Sequence, residues 1–181
     1  VFFYGPSVKI PPDEAAVIGI VDDDGNAASA GYHAALGTLP FGLVDMSQSR
    51  EPSCVLSHEV LELILNPYLD RKMPGPDGLL YLGEACDAVQ ALRYEVEVEL
   101  FGVRRKEWVS DFLTPAWFAT DGARPFNHLD TLVGPFQIGP GGYALAEDAQ
   151  GHMVMLTAPE GARLTAAKLN LTSRTSRLVR A

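Results

Sequence analysis

His58, Glu59 and Glu62 stand close together in the string Ser57-His58-Glu59-Val60-Leu61-Glu62, and imidazole and carboxylate groups at this spacing can hold a divalent metal ion. On a helix, positions four apart stack on one face, so His58 and Glu62 project together, with Cys54 and Asn66 extending the stripe by a turn either way. A metal needs two or more ligand atoms converging at about 2.0–2.2 Å on one point, which an i, i+4 pair on a rigid helix supplies. Glu59 falls about 100° round the helix from His58.

The layout is that of the HExxH pattern with the second histidine changed to Glu62. In that pattern the position of Glu59 carries the general base that takes a proton from metal-bound water. The segment that must present these residues reads as a helix. Pro52 suits a first helical position, Val55 to Leu65 is rich in helix formers, and Asn66-Pro67 stops it, because a residue before proline avoids helical geometry. Val55, Leu56, Val60, Leu61, Leu63, Ile64 and Leu65 cover most of the circumference, which predicts a helix buried on nearly all sides. Charged groups are rarely buried without partners, so the polar stripe calls for one. Gly83-Glu84-Ala85-Cys86-Asp87 supplies a candidate pair. Glu84 and Asp87 are three apart and can face one way from a turn, and they follow the apolar Leu79–Leu82, which would carry them into the interior.

The remaining elements frame this helix. Ala15–Val21 reads as a buried strand ending in the turn Asp22-Asp23-Asp24-Gly25-Asn26, whose aspartates lack the alternating spacing of a calcium loop and are read as solvated. A loop holding Gly31-Tyr32-His33 is expected through to Gly37, then a strand at Phe41–Met46. Asp70–Gly78, with two prolines and two glycines, reads as a loop. Tyr94–Leu100 alternates strictly, and a partner strand at Glu107–Leu113 is expected to close a hairpin with it. Pro115, Pro125, Pro135 and Pro140 punctuate an irregular stretch, and Tyr143–Ala146 with His152–Thr157 form a late hairpin about Gln150-Gly151. This is an α+β pattern: a small mixed sheet, one buried helix bearing the HExxE residues, and a β-rich C-terminal half.

Other side chains with chemical potential carry less. His33 is read either as reaching the cleft or as a surface histidine, and His128 and His152 are given no role. Cys54 and Cys86 fit no cysteine-based zinc pattern and are read as small buried residues, with extra ligands or a bridge as the alternative. Trp108, Trp117 and Phe118 are expected in the core, with an exposed docking patch as the alternative. No phosphate-cradling glycine loop, nucleophile elbow or serine–histidine–aspartate order is present.

The 181 residues suit one domain, residues 1–160, followed by a basic tail at 161–181. From Glu160 to Ala181 five basic residues and one acid give +4; the other nine basic and 22 acidic groups give −13. An acidic body argues against nucleic acid as the main partner. No apolar run approaches the 18 residues of a spanning helix, and the apolar start Val1-Phe2-Phe3-Tyr4, broken by Gly5-Pro6, is too short for a signal peptide.

Over residues 17 to 145 several separated motifs occur in an order that resembles a known group. "SHEVLELILNP" followed by "GEACDAV" is similar to the HExxExxxDP…ExxD pattern of zincin-like HExxE metallopeptidases. "VDDDGNAASAGYH", "SDFLTPAWF" and "PFQIGPGGY" extend the resemblance to tailed-bacteriophage virion structural proteins, which typically read "SHELLEMLVDP", "EVCD" and "SDFVTPAWF". The resemblance implies a zincin-like fold in which His58, Glu62 and Asp87 ligate a metal, Glu84 completes or orients the site, and Glu59 is the base of any catalysis. Asn66 departs from the family, which usually has Asp there; an amide is a poorer ligand, and Asn66 is read as a helix stop. Zinc is the first expectation. Calcium or manganese is the alternative for an oxygen-rich shell, whose anionic charge makes the ion a weaker Lewis acid. Two functions follow: a virion tail or capsid-associated structural protein, homo-oligomeric and partnered by other virion proteins, that keeps the metal as a staple; or a metal-dependent peptidase acting on a peptide substrate. The setting implied is the virion, and the host cytoplasm during assembly.

Overall fold

The computed structural model describes residues 16–22 and 29–158. The acidic turn from Asp23 onward, the apolar start and the basic tail lie outside them.

The first sheet is mixed, as expected. Strand β1 (Val17–Val21) runs parallel to β3 (Leu39–Asp45), and β2 (Gly31–Leu36) runs antiparallel to β3 on its other side. The β2 segment corrects the reading of a loop through to Gly37. Gly and Ala have weak strand propensity, but Gly37, at φ 62°, turns the chain so that Leu36 faces Leu39, and pairing with β3 outweighs local preference.

Helix α1 (Pro52–Leu65) has the expected bounds, with proline in its first turn. Asn66 ends it: its N–H donates to the Glu62 carbonyl at 2.8 Å, and its side-chain oxygen accepts the Arg71 N–H at 2.9 Å. The burial of α1 differs from expectation. Its fully buried residues are Glu59, Glu62 and Leu63, while most of its apolar side chains are half-buried and Ile64 is 75% exposed. Glu59 and Glu62 face inward together with Leu63, because the two carboxylates meet ionisable partners there.

A second, antiparallel sheet has the order β4-β5-β8-β9, formed by β4 (Lys72–Pro74), β5 (Leu80–Leu82), β8 (Tyr143–Glu147) and β9 (Met153–Thr157). The edge strand β4 corrects the loop reading of Asp70–Gly78; an edge position tolerates Pro74. Strands β6 (Arg93–Leu100) and β7 (Val103–Ser110) form a separate hairpin turned by Phe101-Gly102, so β7 begins four residues earlier than the expected Glu107. Ser57 ties β7 to α1: its hydroxyl donates to the Cys54 carbonyl and accepts the Ser110 N–H, both at 2.8 Å.

The main core lies on the second sheet. Tyr81, Trp117 and Phe136 pack together with Phe126, Leu132 and Leu156, and the Trp117 indole donates to the Gln137 carbonyl at 2.7 Å. The irregular stretch that covers this core is pinned by buried polar groups. Asp111 accepts from the Asn127 amide and from the Leu129 N–H, and Asn127 accepts from the Thr131 and Leu132 N–H groups. Trp117 is core as expected and Phe118 packs against it, but Trp108 is not: it lies on the hairpin, 39% exposed, with Arg93 over its ring. The described residues are thus mixed α and β, with one α-helix and mostly strands. No helix among them is long and apolar enough to cross a membrane.

Candidate metal centre

The candidate site forms where α1 presses on β2 and meets the turn after β5. Glycine makes this approach possible. A Cβ at Gly31 would stand 2.7 Å from Val55 Cγ1 and 2.8 Å from Glu59 Oε1, so only glycine lets the helix lie this close to the strand. Strand β2 supplies His33; α1 supplies His58, Glu59 and Glu62; the segment after β5 supplies Glu84, then Asp87 at the start of a 3-10 turn.

His58 Nε2 lies 3.2 Å from Glu62 Oε1 and 3.3 Å from Asp87 Oδ1. His33 Nδ1 lies 3.4 Å from Glu62 Oε2 and 3.8 Å from Glu59 Oε2, and its Nε2 lies 3.5 Å from Glu84 Oε2. The two oxygens of Glu62 therefore face two different histidines. Glu62 Oε1 also accepts the Cys86 N–H at 3.1 Å. Of the six side chains only His58 is partly exposed; the four carboxylates and His33 are buried.

Atoms about 2.1 Å from one ion lie about 3.0–3.4 Å from each other in octahedral or tetrahedral arrangement. The His58–Glu62 and His58–Asp87 separations match that spacing, and the ligand atoms of His58, Glu62 and Cys86 all lie within 4.8 Å of one another, so the groups around His58 could hold a divalent cation. Glu59 Oε2 and His33 Nε2 are among the buried polar atoms that make no hydrogen bond. Buried polar atoms nearly always find partners, and these face a cavity of about 60 Å³ lined by both histidines, Glu59, Glu62 and Asp87.

The electrostatics of the cluster favour protonated imidazoles beside charged carboxylates. Burial pulls the His33 imidazole down, but the nearby Glu59, Glu62 and Glu84 carboxylates more than offset this and lift it to about 10. His58 is likewise depressed by burial and raised well above the ordinary histidine range by Glu62 and Asp87. Burial raises Glu62, and the two imidazoles outweigh burial and hold it below the usual carboxylate range. Asp87 goes the other way: burial and the Glu62 charge push it up to about 6 despite His58. Glu59 is raised by burial. The neighbouring carboxylates thus favour the charged form of both imidazoles.

The structure brings together His58, Glu59, Glu62, Glu84 and Asp87, and of the two readings of His33 it shows the one that reaches the cleft. Glu84 is brought into the cluster through His33, whose Nε2 its Oε2 approaches to 3.5 Å. The signal for His33 was its Gly-Tyr-His setting, which reads as loop; strand pairing fixes it on the face turned to α1. Cys86 lies in the cluster, its Sγ within 4.8 Å of His58 and Glu62 ligand atoms, with burial pushing its thiol up. Cys54 is half-buried, and both cysteines are free thiols. His128 stacks on Phe112, and His152 pairs with Asp148 at 3.2 Å, both away from the cluster.

Comparison with protein-family models, with curated proteins and with solved structures finds no match to this chain.

Proposed function

We propose that the domain binds a divalent cation through His58, Glu62 and Asp87, and that the ion serves as a structural staple in a virion protein. The observation that carries the metal reading is the convergence of His58 Nε2 on Glu62 Oε1 of the same helix and on Asp87 Oδ1 from the turn after β5, at 3.2 and 3.3 Å. An ion there would tie α1 to the turn after β5, and its binding free energy would add to folding. One histidine and two carboxylates neutralise a divalent charge. Zinc is the first choice for this set, with manganese or calcium as the oxygen-favouring alternatives. The virion setting, with other virion proteins and further copies of the chain as partners, rests on the motif resemblance alone.

Glu59 Oε2, buried and without a hydrogen bond, supports a second reading, a metallopeptidase. A bound metal would polarise a water and Glu59 would take its proton. Two features weigh against it. Glu59 faces His33, and the cavity of about 60 Å³ has room for ions and a few waters but not for an extended peptide.

Zinc titration by calorimetry of wild type and Asp87→Asn tests the staple. Tight binding by wild type, weakened at least tenfold in the variant, is expected, since one anionic ligand is lost. Equal affinities would remove Asp87 from the site. Metal-dependent proteolysis that Glu59→Gln abolishes without loss of metal would establish the peptidase instead.

A further inference from the structure

The His58 centre leaves a second set of groups unused. His33 Nδ1 lies 3.4 Å from the other oxygen of Glu62, Oε2, at the edge length of a metal shell, and 3.8 Å from Glu59 Oε2. One ligand atom from each of His33, Glu59 and Glu62 lies within 4.8 Å of the others, and all three residues are buried. Glu59 Oε2 has no hydrogen bond and is aimed into this gap. The remaining ring nitrogen, His33 Nε2, lies 3.5 Å from Glu84 Oε2. A histidine that ligates through one nitrogen typically offers the other to a carboxylate, which fixes its tautomer and orientation.

We propose that the site holds two divalent ions, not one: the first on His58, Glu62 and Asp87, the second on His33 and Glu59, with the Glu62 carboxylate bridging them through its two oxygens. The proposal rests on the metal reading of the His58 centre. Charge supports it. Glu59, Glu62, Glu84 and Asp87 are each no more than 5% exposed, and four carboxylates balance two divalent ions when both imidazoles are neutral. Ions bridged in this way sit about 3.5–4 Å apart. The bridge gives Glu59 a different part from the one its sequence position suggests. It is a ligand of the second ion, and not a free base beside the first.

Metal stoichiometry tests this directly. Purified protein is stripped with chelator, reloaded with zinc, passed through a desalting column and weighed by native mass spectrometry. Two retained ions per chain are expected. One ion overturns the second centre and leaves the His58 centre standing; none overturns the metal reading beneath both. Glu59→Gln, which keeps the side chain's shape, should retain one ion, and retention of two would remove Glu59 from the shell. Loading with manganese separates a bridged pair from two distant ions, since neighbouring ions give an exchange-coupled electron paramagnetic resonance spectrum. Two uncoupled manganese signals would overturn the bridge.

Discussion

His58 on α1 and Asp87 in the turn after β5 lie 3.3 Å apart, ring nitrogen to carboxylate oxygen, with Asp87 only 4% exposed. Two elements remote in sequence therefore meet through groups that water would otherwise claim. Breaking a buried pair strands the partner, which costs about 3–5 kcal/mol. His58→Ala should destabilise the metal-free protein by about that amount, measured by urea denaturation with chelator present. A loss below about 1 kcal/mol would mean that the carboxylates reach solvent or other donors when the ring is absent.

The pH dependence of the metal-free protein has a definite sign. His33 is raised in the folded chain to about 10 from an unfolded value of 6.5. A raised histidine contributes stability that is fully present below the unfolded value and is lost as pH rises through the folded one. In chelator, the melting temperature should therefore fall between pH 6.5 and 10, and His33→Gln should flatten the slope. Zinc affinity should run in the opposite direction, strengthening with pH, because the metal must displace the imidazole protons. A melting temperature that rises across this range in wild type would contradict the imidazolium assignment.

Gly31 tests how closely the helix must approach. Gly31→Ala would put a methyl group 2.7 Å from Val55 Cγ1 and 2.8 Å from Glu59 Oε1. Overpacking of this kind costs about 1–3 kcal/mol. The variant should melt lower and hold metal more weakly, as Glu59 is pushed aside. Wild-type melting and metal content would show that β2 and α1 can separate without consequence.

Asp111 provides the complementary case. It belongs to the motif "SDFLTPAWF" yet does not line the cavity at His58 and Glu62; its carboxylate accepts from Asn127 and the Leu129 N–H. Asp111→Ala leaves these buried donors unmatched, for a loss of about 1–3 kcal/mol. Metal content of the folded variant should equal that of wild type. Loss of metal from a variant that still shows native circular dichroism would place Asp111 in the site's support.

Local signals made part of this architecture legible. Proline at the start of α1 and Asn66-Pro67 at its end fixed the helix, and strict alternation identified β6. The i, i+4 spacing brought His58 and Glu62 together as expected. What was hidden depended on tertiary partners. His33 lies on a strand built of Gly, Tyr and Ala, whose strand character comes from pairing with β3 rather than from its own residues. Burial of α1 was misread because apolar periodicity assumes that apolar groups go inside. Here Ile64 is exposed and Glu62 is enclosed, since a cluster of opposite charges, once assembled, supplies an interior for carboxylates.

The measurement that bears most directly on the metal claim is a thermal melt of the purified protein with elemental analysis of the same sample, before and after exhaustive chelation and after zinc is restored. An ion held by the folded state and not by the unfolded chain stabilises by about 2.7 kcal/mol at a hundredfold excess over its dissociation constant. The account predicts at least one tightly held divalent ion per chain, a fall in melting temperature of several degrees (about 2–4 °C per kcal/mol at this size) on chelation, and full recovery with zinc. No bound ion, no change on chelation and no response to added zinc, manganese or calcium would contradict it, and would leave His58, Glu62 and Asp87 as a buried ion-pair cluster held by protons.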